Sequence, residues 1–526
     1  MKDHKAPETP NPASTYSRNP ADESASSLPR EKPGLYSDFL RLACLTQGVQ
    51  DHPSRWRRAR KMLMECPEIA RSNIYTASAV GDVTAVRHFL KENPDLAGIQ
   101  GGPHNWEPIL YLAFSRINSD APGHSATATA ALLLENGADP NAGYLWCGFP
   151  SPYTALTGAF GEGENGPERN QPHQYCYQLA ELLINAGADP NDSQTLYNRM
   201  FSRNDDHLEF LFSHGLGNDQ DRIWYRRLGE QNGTWVGSAG NMLAYQMQWA
   251  VRWNYADRVK VLVENGADVN RPSHSEDARS PFSEAVYHGN SEIAAYLLEH
   301  GAIGEPLNYL DRFAGACIMA DRVAACSLLD EHPQLLKDLG DRAAVLMENA
   351  IASDNRDAVR LMVGLGFDVD SYGIQEAARY GHLGMIKLLV DLGADVSQIN
   401  RPDRSSALGI ASHFRQKAVV DYLAQFAEVH RAVKSDLIGR VRHLLTQDPS
   451  CVNDRDDLGN SPLHYLDIDN QMIHSRDILD LLIVHGADVN AENNEGITPL
   501  GRLEQLPRFT RRDDLAEILR RQGAEH

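Results

Sequence analysis

Apolar residues recur along this chain at helical spacing, in short runs that all end in the same way. The runs ALLLEN, ELLINA, VLVENG, KLLVDL and DLLIVH carry paired aliphatic residues. Apolar positions three and four apart line one face of a helix. Behind the runs stands Gly-Ala-Asp-(Pro/Val)-Asn, at 137–141, 187–191, 266–270 and 486–490. A shortened copy, GADV, begins at Gly393, and a diverged one, GFDVD, at Gly366. The glycine is expected to take the left-handed conformation that closes a helix, and the Asp and Asn after it to bond nearby backbone in a tight turn.

Two further marks alternate with this one. A hydroxyl residue followed by proline stands at Ser461-Pro462 and Thr498-Pro499, with weaker copies at Ser280-Pro281 and Ser151-Pro152. A small hydroxyl residue caps a helix start, and proline is tolerated at its first position, where no backbone donor is needed. The third mark is a glycine with a polar partner, at Gly81-Asp82, Gly289-Asn290 and Gly381-His382, ending one helix and opening the next.

These three marks, recurring in one order, resemble the ankyrin repeat, a unit of about 33 residues with two antiparallel helices and a turn. The copies most like it lie at 373–396 and 460–490. The resemblance runs from about residue 37 to the C-terminus. It implies an all-α solenoid of helix–turn–helix units. It also implies a scaffold that binds a partner protein on its concave side, through turn tips and first helices. Helix closings fall near 137, 187, 215, 266, 301, 332, 366, 393, 426, 448, 486 and 523. At Asp448-Pro449, and again in KENPDLA at 91–97 and CPEIA at 66–70, the glycine is gone. With these, about fourteen units are expected, the terminal ones atypical because one side faces water.

Two spacings break the period. From 137 to 187 is 50 residues and from 215 to 266 is 51. The extra chain is centred on 158–177 and 218–240, and inserted chain in a stack emerges as loops on a face. The expected layout is a Pro/Ser-rich disordered tail at 1–34 and N-terminal capping and diverged units at 35–104. Repeats with two aromatic-rich insertions follow at 105–278, then repeats closing in a C-terminal cap at 279–526. The tail holds six prolines among Ser, Asn and Glu, too little apolar surface to offset ordering entropy.

Composition changes the picture in three ways. The net charge of −21 repels a phosphate backbone, so no nucleic-acid partner is expected. No run of about 18 apolar residues is present to span a bilayer. Seven cysteines without a C-x-x-C argue for a reducing, cytoplasmic setting and against disulfides or zinc fingers. A monomer without cofactor or metal is expected.

Candidate chemistry concentrates at 144–255. Five of the seven tryptophans fall there, within 18 aromatic residues in 112, about twice the chain's 8%. Exposed Trp, Tyr and Arg make binding hot spots. The binding residues expected are Trp146, Tyr153 and Tyr175 around the first insertion. In the second they are Trp224, Tyr225, Arg226, Arg227 and Trp235. The bland alternative is that the rings only pack the loops onto the repeats. G-x-G-x-x-G at 161–166 reads as an acidic loop, since its two glutamates repel the phosphates of a dinucleotide. Asp205, Asp206, His207 and His214 read as turn and helix-end residues rather than zinc ligands. Arg55, Arg57, Arg58, Arg60 and Lys61 read as the outer face of a capping helix, with Trp56 and Leu63 turned inward. No nucleophile motif is present, so no catalytic residue is assigned. The rival function is an enzyme or small-ligand protein with a pocket formed by the insertions near 144–255. The discriminating feature is an enclosed pocket with converging polar groups.

Overall fold

A computed structural model describes residues 34–48, 51–117, 122–149, 151–164, 166, 169–218, 223–228, 239–273, 279–304, 307–369, 372–398, 406–466, 474–506 and 512–525. All but the last residue of the tail expected at 1–34, and Trp235, lie outside them. The chain forms two compact units, one of residues 1–250 and 257–280, the other of 251–256 and 281–526. Each is a repeat stack of antiparallel helix pairs.

The local logic is clear in one pair. Asn73 and Thr76 form a capping box at the start of helix Ile74–Val80. Gly81, at φ +74°, closes that helix, and the Asp82 side chain caps the next, Val83–Glu92, by accepting from the Ala85 N–H at 3.0 Å. The glycines at 137, 187, 266 and 486 all have positive φ, as the turn signature requires. At Gly137 the N–H bonds the Leu134 carbonyl at 3.1 Å, and the Ala138 N–H reaches back to Leu133 at 3.0 Å. Asp139 then accepts from the Asn141 N–H at 2.9 Å, and Asp189, Asp268 and Asp488 do the same in their own turns.

Where proline replaces glycine, the ending differs. Helix Ile438–Gln447 stops at Asp448, whose side chain caps Ser450 and starts the short 3₁₀ turn Pro449–Asn453. Asn93 does the same ahead of Pro94–Ala97. Proline cannot take a left-handed φ, so the chain tightens instead of reversing.

The repeat core is aliphatic. In the second unit one continuous cluster runs from Phe313 to Leu519. In the first unit the fully buried side chains include Trp56, Trp106, Tyr111 and Tyr144. The capping helix Pro53–Glu65 turns Trp56 inward as expected, whereas Leu63 is only half-buried. Arg55 is also buried, bonded to Asp51 and the Arg41 carbonyl. Arg60 donates to the Arg116 carbonyl at 2.8 Å. Arg55 and Arg60 are therefore structural.

One element departs from an all-helical reading of 151–154. Pro152–Thr154 pairs antiparallel with Gly143–Leu145, in the register Gly143↔Thr154, Tyr144↔Tyr153 and Leu145↔Pro152. Ser151-Pro152 therefore opens a strand, and Thr154 is the cap of the following helix, Ala155–Phe160. Pairing of Leu145 with Pro152 keeps the proline extended, and the first helical turn is displaced past it.

Candidate functional site

The second insertion contributes one described helix, Ile223–Leu228, and it lies against the turn and hairpin of the first unit. Its Trp224 is 6% exposed and clusters with Leu145 and Leu228. The indole Nε1 donates to the Asn141 carbonyl at 3.1 Å. Arg227 donates to the same carbonyl at 2.7 Å and pairs with Asp139, with its guanidinium 5.1 Å from the Trp224 ring. Gly143 permits this approach, because a Cβ there would sit 2.8 Å from the indole. Sequence reading expects Trp224 and Arg227 at the contact surface. They instead fasten the insertion to the repeat turn, since an indole and guanidinium over a bare carbonyl satisfy it and exclude water. Arg226 is exposed, and of Tyr225 only the helical backbone is described.

Trp224 also walls a small cavity with Asn141, Thr154, Asp189, Asp192 and Ser193. At about 20 Å³ it holds a water-sized guest, far below the several hundred Å³ of a ligand pocket. Burial raises the Asp192 carboxyl, and hydrogen bonds from Thr154 and Thr195 oppose the rise.

The first insertion is pinned by Arg116. This buried guanidinium donates to the carbonyls of Gln171 and Gly158 at 2.6 Å each, of Ser115 at 2.8 Å and of Ala113 at 3.0 Å. Buried Glu162 of the acidic loop pairs with buried Arg199. Tyr175 is half-buried at the end of this loop, where its hydroxyl accepts from Gln174 at 2.9 Å.

Aromatic rings form two groups in this unit. His104 stacks on Trp106 at 4.5 Å, Trp106 on Tyr144 at 4.7 Å, and Tyr144 on Tyr153 at 5.5 Å. Tyr197 runs nearly parallel to Tyr245, 6.5 Å away, and meets Phe201 edge-on at 5.3 Å. The first group lies on the core and the second reaches the surface: Tyr144 is 1% exposed and Tyr245 is 37%. At the hairpin tip Trp146 is half-buried and stacks on Phe149, which is 62% exposed.

Two charged features flank these rings. Glu107 has a buried carboxylate oxygen with no hydrogen-bond partner in the structure. Burial, with nearby Asp139 adding, raises its carboxyl to about 7, while Arg227 pulls it down. On the other side, Tyr197 donates to Glu164, and burial followed by that carboxylate raises the phenol. Among the described residues no group of three His, Cys, Asp or Glu is arranged to hold a metal. His207 is buried at the start of helix Asp206–Ser213, and the ring of His214 bonds the Phe210 carbonyl at 2.8 Å.

Sequence reading missed Tyr197, Phe201 and Tyr245, the ring group that reaches the surface. A signal was present: the pairs Tyr197/Phe201 and Tyr245/Trp249 repeat the spacing of four, with one pair at each of two successive first-helix positions.

The comparison with known families fits the turn chemistry. A family model described as ankyrin repeats (many copies) matches residues 247–298, and one described as ankyrin repeat matches 374–401 and 458–494. No helix among the described residues is long and apolar enough to cross a membrane. The glycine turns, the helix pairs built on them and these matches lead to one conclusion: the chain contains ankyrin repeats.

Proposed function

We propose that this chain is a protein-binding scaffold, and that its partner docks on the first unit across Phe149, Tyr153, Tyr197 and Tyr245. Ankyrin repeats are generally protein–protein interaction modules. The observation that carries the placement is the ring group of Tyr197, Phe201 and Tyr245, which reaches the surface at Tyr245. Rigid aromatic side chains held by buried neighbours present contact area with little entropy left to lose. On this reading the partner meets the inner face made by turn tips and first helices. The two insertions then have separate tasks. The first contributes Glu164 beside the rings, and the second holds the hairpin in place through Trp224 and Arg227. The thiols of Cys44, Cys66, Cys176, Cys317, Cys326 and Cys451 are free, which suits a monomer in a reducing cytoplasm.

Affinity capture from the native source tests this reading. Phe149→Ser combined with Tyr245→Ser should lose the partner while melting within about 2 °C of the parent, because both rings are surface groups. Retained capture by the double variant contradicts the placement.

A further inference from the structure

We infer that Glu164, with the rings of Tyr197 and Tyr245, forms a seat for an arginine side chain of the partner. This rests on the scaffold reading above and adds the partner's chemistry. The acidic loop gives its two glutamates opposite surroundings. Glu162 is buried and neutralised by Arg199. Glu164 is exposed, and its Oε1 is held by the Tyr197 hydroxyl. Among the described residues no lysine, arginine or histidine pairs with Glu164. The Tyr197 hydroxyl thus fixes a carboxylate at the edge of an aromatic shelf without cancelling its charge.

The shelf suits a guanidinium. Tyr197 and Tyr245 are within 13° of parallel, with centroids 6.5 Å apart, and Phe201 stands nearly perpendicular to Tyr197. A cation is attracted to a ring face within about 6 Å of its centroid. Arginine matches better than lysine, because its planar fork stacks on a ring and bonds a carboxylate through two N–H groups. The chain's charge of −21 draws cationic segments toward it and repels acidic ones. The partner segment is therefore basic, with an arginine reaching Glu164.

A fluorescein-labelled peptide of alternating glycine and arginine, titrated against the full chain by fluorescence anisotropy, tests this. Its twin carries citrulline, a neutral isostere, at every arginine. Glu164→Gln should weaken the arginine peptide about tenfold, the loss of one charge-assisted contact. Glu495→Gln, at an exposed acid in the second unit, should leave binding unchanged and so controls for net charge. Tyr197→Phe keeps the ring and releases the carboxylate, and should fall between the parent and Glu164→Gln. The citrulline peptide should not bind. Equal affinity for Glu164→Gln and the parent overturns the seat, as does equal affinity for the two peptides. Melting curves of each variant separate loss of binding from loss of fold. If native-partner capture needs Phe149 and Tyr245 but ignores Glu164, the seat is wrong and the scaffold reading stands. If capture ignores all three, both are wrong.

Discussion

The side chain of Asn141 crosses from its own turn to the next and binds Gly187 there. Its Nδ2 donates to the Gly187 carbonyl at 2.8 Å, and its Oδ1 accepts from the Asp189 N–H at 2.9 Å. The last residue of one turn signature thus reads the first and third residues of the next. Asn453 does the same to Gly486 and Asp488, and Asn490 to Gly523 and Glu525, while Asn191 donates to the Asn218 carbonyl and accepts from the Gly217 N–H. The turns are joined by paired side-chain bonds as well as by the apolar faces of their helices.

Replacing Asn141, itself 4% exposed, by alanine removes its bonds to the Gly187 carbonyl and the Asp189 N–H in a part-buried turn. A loss of about 1–3 kcal/mol is expected. Asn490→Ala, at an exposed turn, should lose less than Asn141→Ala and mainly fray the last unit, because water replaces its bonds. Thermal unfolding of the two variants, with hydrogen exchange at the Asp189 amide, checks the order. Equal losses at both sites contradict it.

Gly266 has φ +84°, and a Cβ there would meet open space. The penalty for Gly266→Val is therefore conformational and not a clash. It should lie near 1–2 kcal/mol, the usual strain of a branched residue in the left-handed region. Denaturant unfolding measures it. An unchanged midpoint contradicts the turn assigned to 266–270.

Glu107 gives a pH dependence of definite sign. Its carboxyl rises from an ordinary 4.5 to about 7 in the folded chain, chiefly through burial. The stability contributed by the protonated acid is complete below 4.5 and is lost as pH rises through about 7. Glu107→Gln should therefore raise the melting temperature near pH 8 and leave it almost unchanged at or below pH 4.5, relative to the parent at the same pH. A variant less stable than the parent near pH 8 rules out this account of the Glu107, Asp139 and Arg227 group.

Trp224→Ala removes the indole that covers Gly143 and one of the two donors to the Asn141 carbonyl. Truncating a buried tryptophan usually destabilises by about 3–5 kcal/mol. Here the loss should first appear as local release of helix Ile223–Leu228. Limited proteolysis at Arg226 and Arg227 should accelerate several-fold before global unfolding does. Unchanged cleavage would mean that Trp224 does not hold the insertion.

The fold was legible because its turns are written in residues with few alternatives. Glycine at 137, 187, 266 and 486 supplies a left-handed φ, and the Asp and Asn after it bond their own turn. The family resemblance and the family matches rest on that same chemistry. Roles inside the insertions were much less legible. Trp224 reads as a contact residue by composition, yet its partner carbonyl is 83 residues away in sequence. A helix of six residues, Ile223–Leu228, has too few turns to show which side faces the repeats. Tyr197 and Tyr245 were hidden for a related reason. They stand on repeat helices and not in inserted chain, so irregular spacing did not mark them.

Site-specific photo-crosslinking most directly tests whether the first unit carries the binding face. A benzophenone amino acid is placed in turn at Phe149, Tyr245 and Val484, the last 80% exposed in the second unit. The full-length chain is irradiated in extract from its native source, and the adducts are read by mass spectrometry. Peptides of one partner protein should attach at 149 and 245 and not at 484. Adducts at 484 with none at 149 or 245 would contradict the proposed face.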